Sequence, residues 1–210
     1  MLAVWVVAAG GALLLANALD SPADEGARDE AQAVAPGPVA IPRPDSAAAP
    51  PALALILDQP PPMGIGELPP REQAARLVEL ARADPDPRRL VELGSALQLL
   101  GRPDQAAIAF RGALERDPDD VAARTGLAMA RSGDGPAGLA RASAELRRLA
   151  REYPDSQLVA FNQGVVEIYR RRGVAAARAW SRAVELGPAT LLGSQAAQFV
   201  EELRSQGVVP

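Results

Sequence analysis

The sequence predicts an all-α domain, an α-solenoid of stacked helix pairs, and three observations predict it. Apolar residues between Pro70 and Gly207 recur at three- and four-residue spacing, which places them on single helix faces. Four columns repeat in one register: Pro118, Pro154 and Pro188; Ala106, Ala142 and Ala176; Phe110, Leu146 and Trp180; Ala113, Leu149 and Ala183, each spaced 36 and then 34 residues. Breaks at Gly101-Arg102-Pro103 and Gly133-Asp134-Gly135-Pro136 divide the repeats into two helices each. Periods in this range belong to units that bury their apolar faces only by stacking on neighbours.

Ahead of the repeats, Leu2 to Leu19 is 18 residues long and uncharged, just long enough to span a bilayer. Residues 1–19 therefore read as a transmembrane anchor or a signal peptide, since Ala16-Asn17-Ala18 has the form of a cleavage site. A buried helix of a soluble fold is a third reading. The uncleaved anchor is favoured, and both export readings put the rest of the chain outside the cytoplasm.

Residues 20–69 read as a Pro/Ala-rich disordered linker: 12 of the chain's 20 prolines fall between Ser21 and Pro70. Proline removes backbone donors and blocks helix continuation. Such a spacer reaches about 100 Å or more when stretched, at about 3.1 Å per residue. One apolar island interrupts it, Ala52-Leu53-Ala54-Leu55-Ile56-Leu57, fenced by Pro50-Pro51 and Pro60-Pro61-Pro62. The first expectation is that this run packs on the outside of the helical domain. The sharper one is that it lies in the domain's own groove as a tethered pseudo-ligand. The third is a solvated motif awaiting a partner.

The repeat domain is expected over 70–207, with repeats at 87–120, 121–156 and 157–190. Pro70 to Ala83 forms a lone capping helix with Ala74, Leu77, Leu80 and Ala81 on one face. In the first repeat Leu90, Leu93 and Leu97 share a face with Gly94, whose bare Cα admits a close crossing by the second helix; Pro103 suits a first turn. Asp117-Pro118-Asp119-Asp120 closes the unit and offers carboxylates to cap the next helix. In the second repeat Ala128 stands near the Gly94 column. In the third, Gly164 continues that column, Gln163 and Glu167 occupy positions that are Leu in the first repeat, and Leu158, Phe161, Val165 and Tyr169 carry the stripe. The end helix, 188–206, buries Leu191, Leu192, Ala196, Phe199, Val200 and Leu203, and turns Gln195, Gln198, Glu201, Glu202 and Arg204 to water. End helices with one wet face close a solenoid.

The composition excludes several chemistries. The chain has no Cys and no His, which removes thiol nucleophiles, disulfides, imidazole bases and the usual zinc ligands. It also has no Lys to serve as base. Paired acids such as Asp119-Asp120 and Glu201-Glu202 read as caps and solvated faces, and no glycine-rich phosphate loop is present. Neither enzyme activity, nor a cofactor or metal, nor a small-molecule substrate is expected. The segment before Pro70 holds 2 Arg and 8 acids, and the remainder 20 Arg and 18 acids, so no concentrated basic patch invites nucleic acid. Arg170-Arg171-Arg172 ends the first helix of the third repeat, where cations favour the helix dipole; anion binding is the alternative.

The run Leu90, Leu93-Gly94, Leu97, Ala106, Phe110, Ala113, Pro118 resembles the tetratricopeptide repeat (TPR) pattern, with Leu90 and Leu97 where that family usually has Trp and Tyr. The resemblance implies a binding module in which the first helices of the pairs line a concave groove for a protein or peptide partner. Carried onto this chain, the groove residues are Val91, Ser95, Gln98, Thr125, Met129, Phe161, Asn162, Val165 and Tyr169. Some relatives clamp the C-terminal carboxylate of heat-shock chaperones with paired Lys and Asn. Here Val91 and Ser95 stand at the first pair and only Asn162 fits, so that ligand is not implied. The expectation is a membrane-tethered, extracytoplasmic scaffold that binds a polypeptide in its groove and the membrane through its N-terminal helix. The alternative is a chaperone-type accessory factor in cytochrome c maturation or other envelope assembly. Homo-oligomerisation through Leu191 to Leu203 is a further possibility.

Overall fold

Residues 52–59, 64–133 and 135–210 are described by a computed structural model, in which they belong to one unit. The anchor or signal expected over 1–19 and the spacer up to Pro51 lie outside the described residues. Among the described residues eight α-helices occur in order: α1 Pro70–Ala83, α2 Pro87–Leu99, α3 Pro103–Leu114, α4 Val121–Ala130, α5 Gly135–Glu152, α6 Gln157–Tyr169, α7 Gly173–Leu186 and α8 Leu191–Ser205. A 3-10 turn at Arg131–Gly133 precedes α5. No strand occurs among the described residues, and none of their helices is long and apolar enough to cross a membrane.

The helices pair as α2/α3, α4/α5 and α6/α7, with α1 packed on α2 and α8 on α7. The first helices of successive pairs also meet, α2 with α4, α4 with α6, and α6 with α8, so they form an inner row. Each inner helix begins on a side-chain cap at a repeating position. Asp86, Asp120, Ser156 and Thr190 accept from the backbone N–H of Arg88, Ala123, Val159 and Gly193 at 2.8, 2.9, 3.3 and 3.0 Å. These caps are spaced 34, 36 and 34 residues apart, and they satisfy donors that a helix start leaves open.

The repeating columns form the core. Phe110, Leu146 and Trp180 are buried, as are the Ala106 and Ala113 columns at all three positions. Phe110 is held between two bare backbones. A Cβ on Gly94 of its own repeat would lie 2.6 Å from the ring, and one on Gly126 of the next repeat 2.4 Å. Gly164 meets Trp180 in the same way, with 2.4 Å to Nε1. That indole donates to the Phe161 carbonyl at 3.1 Å and stacks on Phe199 with ring centroids 4.8 Å apart. Phe161 and Phe199 are themselves 6.3 Å apart, so the last repeat and α8 share an aromatic cluster.

Several positions differ from the expected stripes. On α1 Val78 is buried and Leu80 only half-buried, so the packed face is rotated by part of a turn. The end helix, expected from Pro188, starts at Leu191 behind the Thr190 cap, and Leu191 is 47% exposed while its neighbour Leu192 takes the buried place. Glu167 is buried at a position where an apolar side chain would be the usual choice. It accepts from Ser143 Oγ at 2.6 Å and from Arg170 at 3.1 Å, and the same serine oxygen accepts from Arg147 at 2.8 Å. Arg170 thus neutralises a buried carboxylate and does not merely cap a helix end. The expected spacer also joins the packed unit before Pro69, since Ala54, Leu55 and Ile65 are buried.

Three helix ends share one geometry. Arg102, Arg172 and Val208 donate to the carbonyls five residues back, Leu97, Glu167 and Leu203, at 2.9 Å each. The residue before each donor is left-handed: Gly101 at φ 71°, Arg171 at φ 58° and Gly207 at φ 68°. Glycine suits that conformation and arginine does not. Arg171→Gly is therefore expected to raise stability by about 0.5–1 kcal/mol in urea unfolding, after allowance for the freer unfolded chain. A second comparison checks the packing. Gly164→Ala is expected to destabilise by about 1–3 kcal/mol, because overpacking against Trp180 outweighs the gain in helix propensity. Gly112→Ala, where a Cβ would lie 3.6 Å from Leu90 Cδ1, is expected to stabilise by up to about 1 kcal/mol in the same assay.

Candidate peptide-binding groove

The inner row presents a polar trio from two helices. Ser95 and Gln98 are three residues apart on α2 and so share a face; Asn162 comes from α6. All three converge on the apolar island. Gln98 Oε1 accepts the Leu55 N–H at 2.9 Å, and Ser95 Oγ donates to the Leu55 carbonyl at 2.7 Å. Asn162 Oδ1 accepts the Ile56 N–H at 2.8 Å, and its Nδ2 donates to the Ile56 carbonyl at 2.8 Å. Two consecutive residues therefore have every backbone donor and acceptor answered by groove side chains. The remaining Asn162 hydrogen goes to the Leu158 carbonyl at 2.9 Å, so both polar atoms of this wholly buried amide are bonded and both its hydrogens are used.

The bonds explain why an isolated dipeptide stays put. Free of secondary structure, its main-chain groups would be costly to bury unmatched. Leu55 itself is 1% exposed, and burying such a side chain contributes about 2 kcal/mol. Ala54 is buried as well, while Leu53, Ile56 and Leu57 are half-buried and Ala52, Asp58 and Gln59 exposed. The island thus lies among the inner helices and not on the outside of the domain, the first of the sequence expectations. That reading failed because sequence shows how much apolar surface needs cover, not which face provides it.

The other candidate residues divide. Val91, Met129 and Val165 are buried apolar positions of α2, α4 and α6. Thr125 is buried and its hydroxyl donates to the Val121 carbonyl one turn back at 2.7 Å. Phe161 packs its ring with Trp180 and Phe199 and belongs to the core of the last repeat. Tyr169 ends α6 and is 39% exposed, away from the stripe the periodicity drew. Gly126, which lets α4 close on Phe110 and so brings the inner helices together, carries no periodic signal of its own; its only cue is a glycine in mid-helix. Among the described residues no group of three or more Asp or Glu is placed to hold a metal ion.

The groove bonds have unequal weight. Asn162→Ala removes three hydrogen bonds and is expected to lower stability by about 2 kcal/mol, against about 1 kcal/mol for Gln98→Ala. Amide exchange at Leu55 and Ile56 checks the cause: both should speed up in Asn162→Ala while the α7 amides stay protected.

Residues 87–131 match the tetratricopeptide repeat family, in agreement with this architecture. Among solved structures the chain is similar to MamA, at 15% sequence identity and a TM-score of 0.42, over 66% of this chain and 89% of that one. No curated protein matches it. The pairing and capping of the matched repeat at 87–131 carry on to α8, so the described helices form an all-α, TPR-like solenoid.

Proposed function

We propose that this protein is a tethered scaffold that holds an extended apolar segment of a partner polypeptide on the inner face of its repeats. One observation carries the reading: Ser95, Gln98 and Asn162 bond all four backbone groups of an extended dipeptide, Leu55-Ile56. Such bonds recognise main chain of any sequence, and the buried Leu55 site adds preference for an apolar side chain. The uncharged run at Leu2–Leu19 supports anchorage in a membrane, with the repeats on the extracytoplasmic side.

A photo-crosslinking residue at position 95 of the full chain, compared in cells with one at the exposed Arg148 position on α5, tests the binding face. The expected result is a discrete adduct between position 95 and a second polypeptide, at an apolar, proline-free stretch other than this chain's own residues 52–57. Equal labelling from both positions would remove the inner face as the site. The tether has its own test. The protein should stay with membranes through an alkaline carbonate wash, and protease added on the extracytoplasmic side should cut within 70–207.

A further inference from the structure

We infer that residues 52–57 are a built-in competitor, a self-ligand that must leave the groove before a partner segment enters in the same frame. The inference rests on the groove reading above and adds who occupies the site beforehand and what can replace it.

The contacts make the two occupants mutually exclusive. Each of the four bonds ends on a main-chain atom of Leu55 or Ile56, so a partner using those bonds needs the same side-chain atoms of Ser95, Gln98 and Asn162. Asn162 has no spare donor, because its two hydrogens go to Ile56 and Leu158, and its oxygen already takes the Ile56 N–H. The occupant is also separable. It belongs to no helix, these four bonds to the domain are made through side chains of α2 and α6, and Ile56 and Leu57 are half-exposed. The helices beneath are capped and paired among themselves without it.

The same geometry specifies the replacement. Residues at the Leu55 and Ile56 places must each offer an N–H, which bars proline from both. The first place is sealed from water, which bars charge and favours a side chain of leucine size. The partner segment is therefore extended and apolar, with a Leu-Ile-like pair at its centre.

Tethering sets the strength of the competition. Twelve residues separate Leu57 from α1, and a short tether holds its ligand at an effective concentration on the order of 1 mM. If the segment alone binds with a Kd of about 0.1 mM, an incoming peptide is weakened about tenfold.

The probe is a fluorescein-labelled peptide of sequence PPALALILDQ, residues 50–59, added to the full chain in mild detergent and read by anisotropy. Leu55→Asp and Ile56→Pro loosen the self-segment without touching the helices that bind the probe. Both are expected to bind the peptide at least about tenfold more tightly than the unsubstituted chain. Adding Asn162→Ala to Leu55→Asp should abolish the gain, and a probe with proline at its Ile56 place should not bind. Equal affinity in the unsubstituted, Leu55→Asp and Ile56→Pro chains, with loss in Asn162→Ala, overturns the competitor and leaves the groove standing. No binding to either loosened chain, with helix content and melting intact, overturns both. A readout free of variants is amide exchange of the unsubstituted chain under excess peptide. Faster exchange at Leu55 and Ile56 supports displacement, and unchanged exchange with the peptide bound elsewhere sinks it.

Discussion

An aromatic ring pressed against bare helix backbone is the contact on which the rest of this protein depends. Phe110 lies between Gly94 and Gly126, and Trp180 lies on Gly164; at each glycine even a methyl group would collide with the ring. A glycine in mid-helix costs up to about 1 kcal/mol relative to alanine. Here that cost is offset by burial of the two largest fully buried side chains, Trp180 and Phe110, and by an approach between helices that no Cβ would permit. Because Gly126 belongs to the repeat after Phe110, the contact joins repeats as well as the helices of one pair. Stability in such a stack is close to a sum of repeat and neighbour terms, and these ring contacts supply both.

The inner row depends on that spacing. With α4 drawn onto Phe110 and α6 closed on Trp180, side chains of α2 and α6 reach one short segment. Ser95, Gln98 and Asn162 together offer donors and acceptors in the alternation that an extended backbone presents. Buried amides require such partners, and an apolar run with no secondary structure of its own requires its main chain satisfied. The island and the trio answer each other's need, which is why a proline-fenced strip is held inside the domain. Elsewhere the solenoid meets polarity differently. Glu167 is retained in the interior because Ser143 and Arg170 arrive from α5 and the end of α6 to pair with it. Pairs of this kind add little net stability over apolar packing, but loss of one partner leaves a buried charge uncompensated.

The repeat architecture was legible in the sequence because its causes are local and periodic. Ala106, Phe110, Ala113 and their counterparts recur in register, Gly94 and Gly164 mark the close crossings, and Asp120 stands where a cap is needed. The site was legible only in part. Ser95, Gln98 and Asn162 stood among the residues that the resemblance to tetratricopeptide repeats put in the groove, yet Phe161 and Thr125 stood there too and proved to be core and self-bonded. Periodicity assigns a face of a helix but not how much of that face a neighbour covers. Arg171 hid a helix end of the same kind as Gly101, because arginine carries none of the glycine signal that usually marks a left-handed turn.

By itself the sequence determined the all-α class, the repeat length, the helix boundaries at proline and glycine, the core columns and the absence of histidine and cysteine chemistry. These depend on residue type and spacing along one chain. Only the tertiary structure decided that Leu55 and Ile56 sit against Gln98, Ser95 and Asn162, that Gly126 faces Phe110, and that Glu167 is buried with Ser143 and Arg170. Apart from the local Glu167–Arg170 pair, each of those joins residues far apart in the chain. Their meeting depends on how closely helices approach in three dimensions, a quantity that periodicity along one helix does not contain.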